Sequence, residues 1–300
     1  MTALNRAANG LPALKESLRL RVEKEKWRLA AISSGSVGEF FLNRGELREA
    51  EAYAREAVVL ADKGLDATQQ ALKRALHAHI LHQMGRQDEA MALFRKSHAI
   101  LRSRFSPRFL SLSGYYYCEL LLDKLALARP RARQIDILRH RSSLIFAEDD
   151  DVGSSLLAKA LGCLVRAELE LLLAFASGHQ GRPHVLVQQF NEMLALFRAA
   201  AQEHYLVCGL LARIRLACLQ RDVGARPCLE EAWEIAERGS MQLFLADLRL
   251  WRARLFSREK PYPWKSPQED LAAAEKLINE CGYHRRDKDL ADAKRAILLS

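Results

Sequence analysis

Two stretches forty residues apart, GELREAEAYAREA at 45–57 and GRQDEAMALFRKS at 85–97, follow one template. Aligned on their glycines, Gly45, Ala50, Ala54 and Ala57 fall on Gly85, Ala90, Phe94 and Ser97. A glycine suits a helix end because the left-handed conformation there is cheap without a Cβ. Small or apolar residues spaced by four and three then mark one face of the helix that follows. Apolar helical stretches lie upstream of each glycine, ending in Phe40, Phe41 and Leu42 in one case and running through Leu72, Leu76, Ile80, Leu81 and Met84 in the other. Each unit is therefore predicted to be a helical hairpin, and a period of this length with two helices per unit points to stacked repeats.

The same pattern continues toward the carboxy terminus. RDVGARPCLEEAWEIAERG repeats the spacing at Ala225, Leu229 and Ala232 with a turn one residue shorter, and Gly181, Leu186, Phe190, Leu194 and Phe197 mark another second helix. Residues 1–27 read as a partial leading repeat and 28–258 as hairpins, about six in all. KPYPWKSPQ, with three prolines, enforces a turn over 259–268. Capping helices follow over 269–300, with Gly282 at a helix end. Leu and Ala dominate the apolar residues while Gly and Pro number only 15 and 8, so the expected fold is all-α, with no sheet.

The glycine turn with its alanine-rich second helix resembles the tetratricopeptide repeat. Across residues 11–298, segments such as EKWRLAAISSGSVGEF, LHQMGRQDEAMALFRKS, LSGYYYCELLLDK and DLAAAEKLINECGYHRRDKDLADA resemble, in order, the carboxy-terminal repeat array of bacterial signal-transduction ATPases with numerous domains. That resemblance implies a right-handed α-solenoid, a concave groove and a role in sensing or holding a partner. It departs from the pattern at ARPRARQIDILRHRSSLI, which lacks the glycine turn and carries Pro130. No G-x-x-x-x-G-K-[ST] loop occurs, so the phosphate cradle of such an ATPase is not expected here, and the chain reads as a stand-alone array or a portion of a longer one.

Catalysis is not expected. There is no G-x-S-x-G elbow and no H-E-x-x-H pair. His77, His79 and His82 stand close together but without an evident third ligand, so neither a metal nor a cofactor is expected. Six cysteines at 118, 163, 208, 218, 228 and 281 form no C-x-x-C pair and read as small, mostly buried side chains in a reducing compartment. CGYHRRDKD reads as a structural closure, with Tyr283 packed on the last hairpin and Arg285 and Arg286 capping carbonyls. The chain has no membrane-length apolar run and no signal-peptide stretch, so a soluble cytoplasmic protein is expected.

The function expected is that of a non-catalytic scaffold or sensor for a protein or peptide, with the net charge of +9 favouring acidic partners. The alternative is nucleic-acid binding through Arg102–Arg141, where nine basic residues face three acidic ones. The partner-contacting candidates there are Arg102, Arg104, Arg108, Tyr116, Arg129, Arg131 and Arg133. Arginines beside aromatics hold phosphates and stack bases, whereas the competing reading is a solvated helix face with its tyrosines packed inside. Exposed end faces of such an array also allow a homodimer.

Overall fold

The computed structural model describes residues 3–102, 111–127, 132–145, 155–176 and 183–298. All regular secondary structure among them is helical, as expected. The helices are α1 (Ala3–Glu23), α2 (Trp27–Arg44), α3 (Leu47–Lys63), α4 (Ala67–Gln83), α5 (Gln87–Arg102), α6 (Ser111–Leu127) and α7 (Ala132–Ile145). They continue as α8 (Leu156–Ala176), α9 (Pro183–Ala199), α10 (Glu203–Gln220), α11 (Arg226–Arg238), α12 (Gln242–Phe256), α13 (Pro267–Cys281) and α14 (Asp287–Leu298). No described helix is long and apolar enough to cross a membrane. The chain divides into two compact units, the first drawn from Met1–Ser106, Ala236–Ala246 and Ala273–Asp292, the second from Pro107–Ile235, Asp247–Ala272 and Ala293–Ser300.

In the first unit, α2 pairs with α3 and α4 with α5, while α3 packs on α4 and α2 on α4. The turns are built as the glycines predict. Gly45 and Gly85 sit at φ +81° and +78°, and each lets the chain close two bonds at the helix end. Gly45 N–H donates to Leu42 O and Glu46 N–H to Phe41 O, and Gly85 and Arg86 repeat this on His82 and Leu81. Gly282 ends α13 in the same way, through Tyr283 N–H to Ile278 O. The predicted inward positions are all buried: Ala50, Ala54 and Ala57 in α3, and Ala90, Phe94 and Ser97 in α5.

Close helix contact explains the small residues. A Cβ on Gly38 of α2 would stand 3.3 Å from Ala50 O and 3.4 Å from Ala54 N, so even a methyl group there would press on the α3 backbone by a few tenths of an ångström. Ser34 Oγ lies 2.8 Å from Tyr53 O across the same contact. In the next hairpin Ser97 Oγ donates to Ala71 O at 2.8 Å. Ahead of them, Leu18 of α1 packs with Ala30, Ala31, Leu60 and Ala61.

The first unit also contains pairings that neighbour-to-neighbour stacking does not supply. The Gly45 turn abuts Gln242, Leu243 and Cys281, and the Gly85 turn abuts His284. Arg285 Nη1 donates to Gln83 Oε1 at 3.2 Å, joining residues 202 positions apart. Tyr283 is buried as predicted. Arg285 is thus tied to a side-chain amide of α4.

In the second unit α6 packs on α7 and α8, α8 on α9, and α9 on α10. Ala225, Leu229 and Ala232 are buried as predicted. The turn before them differs: Arg221, at φ +56°, takes the left-handed position, and Asp222 Oδ1 accepts from Gly224 N–H to start a short 3-10 turn, Val223–Ala225. The left-handed residue therefore stands four positions before Ala225, against five between Gly45 and Ala50, which accounts for the shorter turn. The predicted break near the prolines is present, since α12 ends at Phe256 and α13 starts on Pro267. Proline is tolerated at a first helical position because its missing N–H would have no intrahelical partner.

Candidate functional site

The face shared by α2 and α4 carries ionisable groups that are held together without being paired. Gly35 of α2 is buried, and the Lys73 side chain of α4 lies in the notch it leaves. A Cβ at position 35 would stand 2.6 Å from Lys73 Nζ and 3.0 Å from its Cε. One helical turn beyond Gly35, on the same face of α2, stands Glu39. Desolvation holds the Lys73 ammonium below the usual lysine range, with Glu39 opposing the shift. It pushes the Glu39 carboxyl up, with Lys73 again opposing. As a whole residue Glu39 remains exposed to solvent. No ion pair within 4.0 Å involves Lys73 or Glu39 among the described residues. One turn along α4, His77 Nε2 lies 3.2 Å from Glu51 Oε1 of α3, and burial lowers its basicity.

An open cleft of about 610 Å³ lies in the same unit, lined by the start of α3 and the end of α13, including Arg48, Glu49, Leu277 and Cys281. Its thiol is a poor nucleophile: burial, with Glu280 and Glu46 adding, pushes Cys281 up to about 11. Burial likewise raises Cys218 to about 12 and Cys228 above its ordinary value. All six cysteines are free thiols.

The second unit holds a buried ionic and aromatic knot. Arg252 and Asp270 are 8% and 4% exposed and form a two-pronged ion pair, with Arg252 Nε to Asp270 Oδ2 at 2.8 Å. The Tyr262 hydroxyl also donates to Asp270. The Arg252 guanidinium lies between Trp233 and Trp264, 4.3 and 4.5 Å from their ring centroids. The knot fastens the proline-rich segment onto α12 and α13, and each polar group is consumed within it, so it reads as architecture.

Of the partner candidates predicted from sequence, Arg104, Arg108, Arg129 and Arg131 lie outside the described residues. Arg102 ends α5 and Arg133 lies in α7, with neither side chain described. Tyr116 is 8% exposed, its hydroxyl 3.2 Å from that of Tyr205, and its neighbours Tyr115 and Tyr117 are buried with it. The tyrosines thus sit as the packed-face reading has them. His79 and His82 are both buried on α4.

Sequence reading missed Gly35, Glu39 and Lys73. The signal available was a glycine four residues before a glutamate on a helix otherwise rich in small residues, SSGSVGE. No protein-family model matches the chain, and no curated protein is significantly similar to it.

Proposed function

We propose that the chain is a tetratricopeptide-type helical array of about six hairpins that binds a peptide or protein partner and does no chemistry upon it. The observation that carries the reading is the α2–α4 face, where the Lys73 side chain lies along Gly35 and Lys73 and Glu39 are desolvated without a mutual ion pair. Charges kept in that state cost stability, and a partner that supplies complementary charges and hydrogen bonds relieves the cost. The glycine-turned hairpins, their small-residue contacts and the poorly nucleophilic thiols support the same reading. With a net charge of +9, acidic segments are the favoured guests.

The test is affinity capture from cell extract with the full chain and with a Lys73→Glu variant of unchanged helicity, followed by mass spectrometry. Proteins retained by the parent and lost from the variant support the proposal, and identical retained sets refute it. Titration with single-stranded RNA and DNA at several salt concentrations is the counter-test. Affinity falling steeply with salt favours nucleic-acid binding instead.

A further inference from the structure

Helices α10 and α12 carry five arginines, and four of them find a carboxylate within the chain. Arg213 Nη2 lies 3.2 Å from Asp222 Oδ2, Arg215 Nη1 2.9 Å from Glu168 Oε1, and Arg249 Nη1 3.6 Å from Asp270 Oδ1, while Arg252 shares Asp270 in the knot described above. Arg254 is the exception: among the described residues no carboxylate oxygen lies within 4.0 Å of its guanidinium nitrogens. Exposed arginines such as Arg221 and Arg258 have water to pair with, but Arg254 is only partly exposed.

Arg254 is held in place by Trp251, three residues earlier on α12. Its guanidinium carbon lies 4.9 Å from the indole centroid, and that of Arg215, on α10, lies 5.7 Å from the same centroid. The indole is 7% exposed, and Cys218 Sγ of α10 approaches the Trp251 carbonyl oxygen at 3.8 Å, so both helices build this platform. A guanidinium over an aromatic ring spends its face on the cation–π contact and keeps the N–H groups of its edge, which match the two oxygens of a carboxylate. Arg215 already has Glu168. The surface is therefore short of one negative charge, and that charge belongs at Arg254.

We propose that Arg254 on its Trp251 platform is a contact site for an acidic side chain of a protein partner, an aspartate or glutamate, which supplies the carboxylate that the other arginines of α10 and α12 find within the chain. Charge complementarity selects this occupant. A single carboxylate balances the one unanswered guanidinium, whereas a phosphate dianion brings a second charge for which no arginine of these two helices remains. The site rests on the reading of the chain as a partner-binding array and narrows that partner to one presenting acidic side chains. It uses residues of the second unit only.

The experiment titrates the full chain into a short fluorescein-labelled peptide of alternating glutamate and glycine, amidated at its carboxy terminus, with fluorescence anisotropy as the readout and variants compared at matched helicity. The parent is expected to bind this peptide and not its glutamine counterpart. Arg254→Gln is expected to weaken binding by about tenfold, the scale of a hydrogen bond to a charged group. Arg254→Lys keeps the charge without the fork and is expected to fall between the two. Arg258→Gln, which removes an exposed arginine four residues on, is expected to change the affinity by less than about twofold. No binding by the parent, equal binding of the glutamine peptide, or equal losses in Arg254→Gln and Arg258→Gln overturns the proposal. Displacement of the peptide by millimolar inorganic phosphate, with acetate at the same ionic strength ineffective, overturns the choice of a carboxylate. A partner lost from Lys73→Glu in the capture experiment but retained by Arg254→Gln overturns this site alone and leaves the partner-binding reading standing.

Discussion

Three glycines inside helices, changed one at a time to alanine, separate helix propensity from helix contact. In a helix interior the change is worth up to about 1 kcal/mol in favour of alanine, because the backbone loses less freedom on folding. At Gly10 of α1 nothing stands within 4 Å of the added Cβ, so that gain is expected undiminished where the helix is formed. At Gly35 the obstacle is the flexible end of Lys73, which moves aside, so Gly35→Ala is also expected to stabilise. At Gly38 the obstacles are backbone atoms, Ala50 O at 3.3 Å and Ala54 N at 3.4 Å, which move only if α3 moves. There the overlap is expected to consume about 1 kcal/mol, leaving Gly38→Ala near neutral, and Gly38→Leu is expected to destabilise by about 3 kcal/mol. Urea unfolding followed by circular dichroism reads the order directly. Gly38→Ala as stabilising as Gly10→Ala, or Gly38→Leu without loss, would refute the close contact of α2 and α3.

Other perturbations follow from the same packing. Ala50→Leu and Ala90→Leu are each expected to cost about 1 to 3 kcal/mol in thermal melts, since both alanines are fully buried. Asp270→Ala strands the buried Arg252 guanidinium and is expected to cost about 3 to 5 kcal/mol, with a change in tryptophan fluorescence from Trp233 and Trp264. His204 is held neutral by burial, with its pKa pushed down to about 4 from 6.5 and Glu119 opposing. The unfolded chain takes up that proton first, so stability is expected to fall as pH drops from 6.5 to about 4 by on the order of 3 kcal/mol, and His204→Phe should flatten this part of the profile. Lys73→Met removes an ammonium that the fold disfavours and is expected to raise the melting temperature at neutral pH, the advantage shrinking as alkaline pH neutralises the lysine of the parent.

Helix and turn positions were legible because their causes are local. A left-handed glycine, a proline break, and small residues repeating every three or four positions act within one or two turns of chain, so Gly45, Gly85, Ala50, Ala54, Ala90 and Pro267 could be placed from sequence. The turn before Ala225 was placed as well, but not its left-handed residue, because Arg221 holds that position and glycine was the cue. The basic strip from Arg102 to Arg141 was visible as a run of charge. A run of charge does not distinguish side chains that face a partner from tyrosines that face a core, and Tyr116 faces the core.

Sequence by itself determined that this chain is helical, where its hairpins turn, and which residues of α3 and α5 face inward. Tertiary structure alone decided that Lys73 lies on Gly35 near Glu39, that Arg252 meets Asp270 between two tryptophans, and that Arg285 reaches Gln83. The physical reason is range. Backbone hydrogen bonds and helical periodicity are settled among residues a few positions apart, whereas the state of a charged side chain depends on which surfaces exclude water around it, and those belong to helices that meet only when the fold is complete.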